Sequence, residues 1–533
     1  MPGRNLSRAR FSPAGQFAAA RPRWCALALG AISALGFEPV ALWPLTLLAI
    51  GGLLALLARA ESRSQALQLG WLFGLGQFAL GLNWIATAFT YQAAMPTWLG
   101  WAAVFGLSLY LAIYPALAAL AGWHLRRSPL SMVTGFAGTW IVTEWLRGWV
   151  FTGFPWNPLG AVLLRPFEHP GAARLLPWLG TYALSGLAVL LAGLWWQGLA
   201  RFRADRRALA LLVIPLGVQF IALPHHPVAN PGRAVPFQLI QPNIAQDVLN
   251  DPAHYEANFQ RTAELSAAPV TGQGRLVLWP ESGVPWYLAD GYPDRYYFDT
   301  YAADPRLARA RIGRIIGPGS LLLTGAVDLE IAHGQAAGAR NMVTAIDGAG
   351  VIRGGYAKAH LVPYGEYLPL RPLLTPLGLA RLVPGDIDFW PGPGPRTLDL
   401  GQWGKAGIQI CYEIVFSGRV ADRAHRPDYI FNPSNDGWFG AWGPPQHLAQ
   451  ARLRALEEGL PVLRATTTGI SAVIAADGRV AQFIPPHRAG VLLGTIPPAY
   501  PPTLFSRWGN ALALAWATLL LVVSMVASRR RTG

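Results

Sequence analysis

Seven stretches of nearly unbroken apolar residues fill the first 223 positions of the chain, and an eighth closes it. They are Trp24–Leu35, Leu42–Leu57, Gly70–Thr90, Trp98–Trp123, Met132–Phe151, Pro177–Leu199, Leu209–Leu223 and Trp508–Ala527. Most approach the about 20 residues that a helix needs to cross the hydrocarbon core of a bilayer. Backbone groups in lipid must be satisfied within the segment, so runs of this length are read as helices. The first two are short and are divided by Phe37-Glu38-Pro39, which also fits one bent hairpin. Eight spans are the expected count.

Composition agrees. Of 533 residues, 52% are hydrophobic and only 13% charged, too apolar for a water-soluble chain of this size. The formal net charge of +15 raises the question of nucleic acid. The arginines, however, fall in short clusters between apolar runs, without a basic stripe or interleaved stacking aromatics, so no nucleic-acid partner is expected. Five clusters matter: the arm with Arg4, Arg8, Arg10, Arg21 and Arg23; Arg59 and Arg63; Arg126 and Arg127; Arg201 to Arg207; and Arg529 to Arg531. With eight spans all five lie on one side, which the positive-inside rule makes cytoplasmic. The N-terminal arm then reads as a retained signal-anchor. The long segment between the seventh and eighth spans faces outward.

That segment has the composition of a globular domain. Strands are expected at Val235–Gln241, Arg275–Trp279, Ser320–Thr324, Met342–Ile346, Ala406–Ile410, Tyr429–Asn432, Val462–Ala465 and Ala472–Ile474. Asp347-Gly348 and Asp477-Gly478 are hairpin-type turns. Helices are expected near Ala257–Ala267, Arg306–Ile316 and Gln446–Glu458, the last with Arg452, Arg454, Glu457 and Glu458 on a mostly polar surface. The alternation argues for α/β or α+β layering. The expected division is a membrane domain over 1–226, an outward domain over 227–503, and a final span with a basic tail over 504–533.

Within the outward domain, three expected strands, each an apolar segment, end in reactive groups. Leu276–Trp279 leads into Pro280-Glu281, Gly354–Ala357 into Lys358, and Lys405–Ile410 into Cys411. A thiol, a carboxylate and an ammonium are the parts for acyl transfer: one attacks a carbonyl, one moves its proton, one faces the oxyanion. Each has a plainer reading. Cysteine is often a small buried hydrophobe, a Glu after Trp-Pro also caps turns, and a lysine also solvates a hairpin. Lysine is rare here, though: all but Lys358 and Lys405 of the 43 basic residues are arginine, which cannot replace a tunable point charge. The only other cysteine, Cys25, lies in an apolar run, so no disulfide is expected. No metal is expected, because the histidines lack zinc spacing. No glycine-rich phosphate loop opens a helix, so no nucleotide or other cofactor is expected.

Jointly, in this order, the stretches WPES, YAKAHLVPYGEYLP and ICYE resemble the Glu–Lys–Cys motifs of the nitrilase superfamily. SNDGWFG (Ser434–Gly440), PPQHLAQARLRALE (Pro444–Glu457) and RGWVFTGFPWNPLG (Arg147–Gly160) are similar to the apolipoprotein N-acyltransferase family, as is the arrangement of seven spans plus one. The resemblance covers nearly the whole chain. It implies a polytopic helical membrane domain carrying a nitrilase-like αββα sandwich. It implies Glu281 as base, Lys358 as oxyanion partner and Cys411 as nucleophile, with Glu366, Tyr412 and Glu413 in support. Trp438, Phe439, Arg147 and Trp156 become possible substrate or lipid contacts, although interface anchoring suits the last two equally. Loops Leu368–Leu382 and Trp438–Trp442 are possible lids. Asn250 stands where the family has a functional tryptophan, and Thr467 and Thr468 where asparagines are common.

The implied reaction moves an acyl chain from a phospholipid, through a Cys411 thioester, to the amine of a lipoprotein's diacylglyceryl-cysteine. The implied place is the bacterial inner membrane, with the catalytic domain in the periplasm and both termini cytoplasmic. Two rivals stay open: a membrane-tethered amidase that discharges to water, and a transporter with an outward binding domain. The scarcity of charges within the spans speaks against transport.

Overall fold

The computed structural model describes residues 21–91, 96–220, 234–267, 274–377 and 387–529. Arg4, Arg8, Arg10, Arg530 and Arg531 lie outside them, as do residues 378–382 of the first expected lid.

The apolar runs form a bundle. Its helices are Pro22–Ala34, Trp43–Arg59, Arg63–Gly81, Trp98–Leu111 continued by Ile113–His124, Pro129–Arg147, Leu176–Arg201, Leu209–Val218 and Asn510–Arg529. Local chemistry sets their starts. The Ser62 hydroxyl accepts the Gln65 N–H, and the Ser128 hydroxyl accepts that of Ser131 just ahead of a proline-opened first turn. Glycine lets helices meet backbone to backbone, as bundles without a hydrophobic drive between helices require. A Cβ on Gly30 would lie 1.9 Å from the Phe73 carbonyl oxygen, and one on Gly76 2.2 Å from that of Leu27. The last helix joins the first part of the chain through hydroxyls: Ser131 and Ser528 Oγ atoms are 2.5 Å apart, and Ser524 donates to the Ser131 carbonyl at 2.6 Å.

By length and apolarity, three described segments suffice to cross a membrane: Trp98–His124, Gly171–Arg201 and Asn510–Arg529. Arg63–Gly81 and Ile85–Tyr91 make a fourth if their 49° bend is counted as one span. The expected eight is therefore not reached. Pro22–Ala34 and Trp43–Arg59 have only 13 and 17 residues. Pro129–Arg147 is long enough at 19, but serine, threonines and a Glu144–Arg147 pair dilute it.

The second half is a sandwich of two six-stranded sheets. The strands are β1 (Pro236–Gln241), β2 (Leu276–Leu278), β3 (Leu321–Ala332), β4 (Gln335–Asp347), β5 (Ile352–Ala357), β6 (Thr397–Asp399), β7 (Lys405–Ile408), β8 (Tyr429–Ser434), β9 (Val462–Thr466), β10 (Ser471–Ile474), β11 (Val480–Ile484) and β12 (Gly490–Thr495). One sheet runs β12-β1-β2-β3-β4-β5 and the other β11-β10-β9-β8-β7-β6. Both are mixed: β1–β2–β3 and β7–β8–β9 are parallel, their flanks antiparallel. Strand alternation sends Leu276, Leu278, Leu323, Val343 and Ala345 of the first sheet against Ile408, Phe431, Leu463 and Val473 of the second, forming the core between them. Helices Tyr255–Ser266 and Pro305–Ile316 cover the outer face of the first sheet.

Helix Gly443–Glu458 covers the other outer face, and here the expected polar surface is overturned. Arg452, Arg454, Glu457 and Glu458 are all buried, because the helix is pressed between its sheet and the membrane bundle. Buried charges must be paired or hydrogen-bonded. Arg452 donates to the carbonyls of Gly478, Arg165 and Pro166. Arg454 pairs with Glu457 at 2.8 Å and reaches the Val415 carbonyl at 3.1 Å. Glu457 accepts the Thr181 N–H from the bundle and the Ser417 hydroxyl from the sandwich.

Candidate active site

The three segments that end in reactive groups are brought to one end of the sandwich. Cys411 follows β7 and opens the short turn Cys411–Val415 with φ +50°, a left-handed conformation that costs a non-glycine residue on the order of 1–3 kcal/mol. Surrounding bonds hold it. The Gln409 N–H donates to the Phe431 carbonyl on the neighbouring strand, and Ile410 donates its N–H to Glu413 Oε2 at 2.8 Å. Glu281 follows β2, and its loop packs so closely on β3 that a Cβ on Gly325 would sit 2.7 Å from the Glu281 Cα. Lys358 follows β5, its N–H donating to the Asn341 carbonyl at 2.8 Å.

All three side chains are buried, with Lys358 only 2% exposed. The ammonium sits 2.9 Å from Glu366 Oε2 and 3.7 Å from Glu281 Oε1. Burial works to discharge Lys358, but the Glu366 and Glu281 carboxylates outweigh it and hold the ammonium well above the ordinary lysine range. The sulfur is different. Burial, reinforced by the Glu281 charge and opposed by Lys358, pushes the Cys411 thiol far up. The sulfur is therefore held as a thiol, which could attack a carbonyl only with a base beside it to take the proton.

Asn341 organises the carboxylates. Its Nδ2 donates to Glu281 Oε1 at 2.8 Å and to Glu366 Oε1 at 3.0 Å. Glu281 Oε2 accepts the Asn435 N–H from the opposite sheet at 2.8 Å, so the candidate base is clamped between the two sheets. Glu366 Oε2 also accepts the Val362 N–H at 2.9 Å. Glu413 performs a similar service for the cysteine turn. Its Oε1 accepts from Tyr356 Oη, the Ala359 N–H and the His360 N–H, so one carboxyl ties the lysine loop to the cysteine turn. Burial pushes Glu413 up to about 7, against the pull of those donors. Beside it, burial and the Arg419 and Lys358 charges push His360 down to about 4, so its ring is neutral near pH 7.

Tyr412 faces the membrane part, its hydroxyl 3.3 Å from the Gly153 carbonyl. Trp156 lies parallel to its ring at 6.4 Å. Trp156 is 0% exposed, with Nε1 donating to Gln446 at 2.8 Å, and Arg147 is 2% exposed, donating to the Trp156 and Phe154 carbonyls. These two expected lipid contacts thus lie inside the protein, under the cysteine turn, because their polar atoms are spent on internal bonds. Trp438 and Phe439 are half-buried, Trp438 edge-on to Tyr91 and Phe439 edge-on to Trp84. Tyr364, Leu370 and Leu373 are at least half exposed on the loop after Lys358. Asn250 is exposed at the end of a short turn, and Thr467 is buried with its hydroxyl donating to Asn435.

Asn341 was not among the expected residues, although a signal was present. It shares a strand face with Val343 and Ala345, so an amide stands where alternation calls for a core residue. Among the described residues no group of three His, Cys, Asp or Glu side chains is placed to hold a metal ion.

Two mixed sheets face to face, with a buried cysteine, lysine and glutamate meeting at one end, define a carbon-nitrogen hydrolase domain, and the carbon-nitrogen hydrolase family model matches residues 239–500. The helices ahead of it match the model of the apolipoprotein N-acyltransferase N-terminal domain over residues 29–194. The chain belongs to the apolipoprotein N-acyltransferase family. Relatives bearing that name are 33% identical in Rhodopseudomonas palustris and 35% identical in Bradyrhizobium diazoefficiens, each alignment covering 95% of both chains. Another, in Azotobacter vinelandii, is 35% identical over 96% of both. Among solved structures, an amidase from Nesterenkonia sp. AN1 aligns at 17% identity and a TM-score of 0.33, over 54% of this chain and 95% of that one.

Proposed function

We propose that this acyltransferase works by two successive transfers at one sulfur atom. Glu281 takes the proton from the Cys411 thiol as the sulfur bonds to the ester carbonyl carbon of a phospholipid. The carbonyl electron pair moves to oxygen, and that oxyanion faces the Lys358 ammonium. As the oxyanion collapses, the ester C–O bond breaks and Glu281 returns its proton to the departing lysophospholipid oxygen. A thioester is left on Cys411. In the second half the free amine of a diacylglyceryl-cysteine attacks the thioester carbon, Glu281 accepts a proton from nitrogen, and the C–S bond breaks as the sulfur takes that proton. The products are an amide and the original thiol.

The observation that carries this reading is the clamped carboxylate pair around a buried ammonium beside a protonated thiol. Lys358, held charged, stabilises developing negative charge without reorganising. Glu281, fixed by donors from both sheets, is a base in a set position. Glu366, Tyr412 and Glu413 hold the site's loops, while Arg147 and Trp156 brace the cysteine turn from below.

The membrane part serves the substrates. A phospholipid and a diacylglyceryl-modified lipoprotein both keep their tails in the bilayer, and pulling a tail into water costs about 0.8 kcal/mol per CH₂. A catalytic domain pressed onto the bundle meets their head regions without extraction. Trp438, Phe439 and the exposed apolar residues of the Tyr364–Leu373 loop suit contact with those tails. The proposed arrangement is a membrane domain over 1–226, a periplasmic domain over 227–503 and a C-terminal span and tail over 504–533. Eight helical segments lie in the inner membrane, shorter ones included, with both termini cytoplasmic.

The experiment is a comparison of lipoprotein N-termini in cells with and without the protein, and with Cys411→Ser. The reading requires N-acylated termini only with the intact chain. Normal N-acylation by the serine variant would refute it.

A further inference from the structure

A buried chain of polar groups runs to the back of the cysteine turn and is not used in the chemistry above. His447 Nε2 lies 3.1 Å from the Cys411 carbonyl oxygen. Its Nδ1 lies 3.0 Å from Arg464 Nη2 and 3.0 Å from Asp436 Oδ1. Arg464 in turn holds Asp436 with its Nη2 at 2.8 and 2.7 Å from the two oxygens, and reaches Ser434 Oγ at 2.9 Å and the Asn432 side chain. His447 and Arg464 are 0% exposed and Asp436 2%. The imidazole is wedged between Trp156 and Phe439, whose ring centroids are 5.2 and 5.5 Å away.

The partner of Nε2 fixes the proton on that nitrogen. A carbonyl oxygen only accepts, so Nε2 carries a proton. Nδ1 faces both a donor, Arg464, and an acceptor, Asp436 Oδ1, and the Nε2–H bond to Cys411 is made whichever of the two Nδ1 meets. The same guanidinium neutralises Asp436, whose charge would otherwise raise the thiol further.

We infer that His447 is a positioning residue for the nucleophile: its Nε2–H anchors the Cys411 carbonyl and thereby the peptide plane from which the thiol projects. The peptide is planar and trans. Fixing its carbonyl toward His447 therefore turns the Tyr412 N–H the opposite way and sets the direction of the Cys411 side chain. A residue at φ +50° gains nothing from its own backbone preference, so its aim rests on the bonds of its neighbours Gln409 and Ile410 and, at its own carbonyl, on a bond from outside the turn. Helix Gly443–Glu458, which carries His447, supplies it, and that helix is itself seated on the membrane bundle.

The inference rests on Cys411 being the acyl-carrying nucleophile. Its test uses the full-length protein in mixed micelles containing phosphatidylethanolamine, with acyl–Cys411 formation followed by intact mass. The variants are His447→Gln and His447→Asn. Both are polar amides, but only glutamine carries its N–H out to about the position of Nε2, while asparagine stops near Nδ1. The expected result is acylation of the asparagine variant slowed about a hundredfold at saturating phospholipid, as for a nucleophile misplaced by about an ångström. KM stays the same, and the glutamine variant recovers most of the rate. Equal rates in the two variants, whether both fast or both slow, would overturn the positioning role, since a purely structural histidine does not distinguish them. Cys411→Ala measured alongside separates the two claims. If it still transfers acyl groups, the nucleophile reading has failed; if it is dead while the His447 pair behave alike, only the present inference has.

Discussion

Helices Pro305–Ile316 and Gly443–Glu458 close opposite faces of the same sandwich, and both are rich in arginine. On the first, Arg306 and Arg314 stand in water and Arg311 lies half-buried over the Phe259 and Tyr301 rings; Arg309 alone is buried, held by the Leu288 and Gly350 carbonyls and by Asp290 at 2.9 Å. On the second, no charge reaches solvent, and every bond described joins the catalytic domain to itself or to the bundle. The two helices look alike as strings of residues and differ in what lies outside them. One faces water; the other faces membrane helices. Cys411 belongs to the sheet on the docked side, whereas Glu281 and Lys358 belong to the sheet on the water side. The site thus joins a part aimed by the membrane domain to a part held by its own carboxylate–ammonium pairing.

That contrast can be broken from the docked side first. Cys411→Ser should fold and lose transfer by about 10⁴-fold or more, as removal of a catalytic nucleophile does; an assay of N-acyl product decides it. Next, Glu457→Ala leaves Arg454 buried without its partner at the docking surface, a loss of about 3–5 kcal/mol that thermal unfolding of the purified protein will register. On the water-side sheet, Lys358→Ala should lower acyl-enzyme formation about 10²- to 10³-fold with the fold intact. A normal yield of acyl-enzyme would remove its oxyanion role.

Smaller effects sharpen the same comparison. Glu413 joins the two sheets, and burial raises it from 4.5 to about 7 in the folded protein. A carboxyl raised on folding binds its proton more tightly in the native state. Its contribution is therefore full below pH 4.5 and is lost as pH rises through about 7. Thermal stability should fall across that window in the wild type, and Glu413→Gln, which cannot ionise, should lack that part of the slope. Smallest of all, Arg314→Ala on the exposed helix should change stability by less than about 0.5 kcal/mol. A loss comparable to that of Glu457→Ala would erase the distinction between the two faces.

Much of this was legible in the residues. The eight strands expected from alternation all occur, displaced by a residue or two or longer, because inward and outward positions differ in polarity on each. β5 was marked only by its end, Gly354–Ala357 ahead of Lys358, and the strands left out, β6, β11 and β12, lie on the sheet margins, where burial is partial and the alternation is weak. Within the site, Glu281, Lys358 and Cys411 were readable because reactive groups at the ends of apolar segments stand out, whereas Glu366 came only from the family resemblance. Asn341, Asp436, His447 and Arg464 were not, since their meaning lies in partners 11 to 60 positions away. The burial of Arg452 and Glu457 was illegible for a related reason. Spacing along a helix shows which residues share a face, but the bundle that covers that face comes from the other end of the chain. Arg147 and Trp156 fell to the same limit: an arginine and a tryptophan beside an apolar run look like interface anchors until the fold supplies the carbonyls and amide that they bind.

The most direct test of the central claim is to incubate the purified protein with a phospholipid alone, map any mass adduct, and then add a diacylglyceryl-cysteine peptide with a free amine. The account predicts an adduct of one acyl chain on Cys411, absent in Cys411→Ser, that disappears as an equal amount of N-acylated peptide forms. An adduct at another residue, or one that discharges to free fatty acid while the peptide stays unmodified, would contradict it.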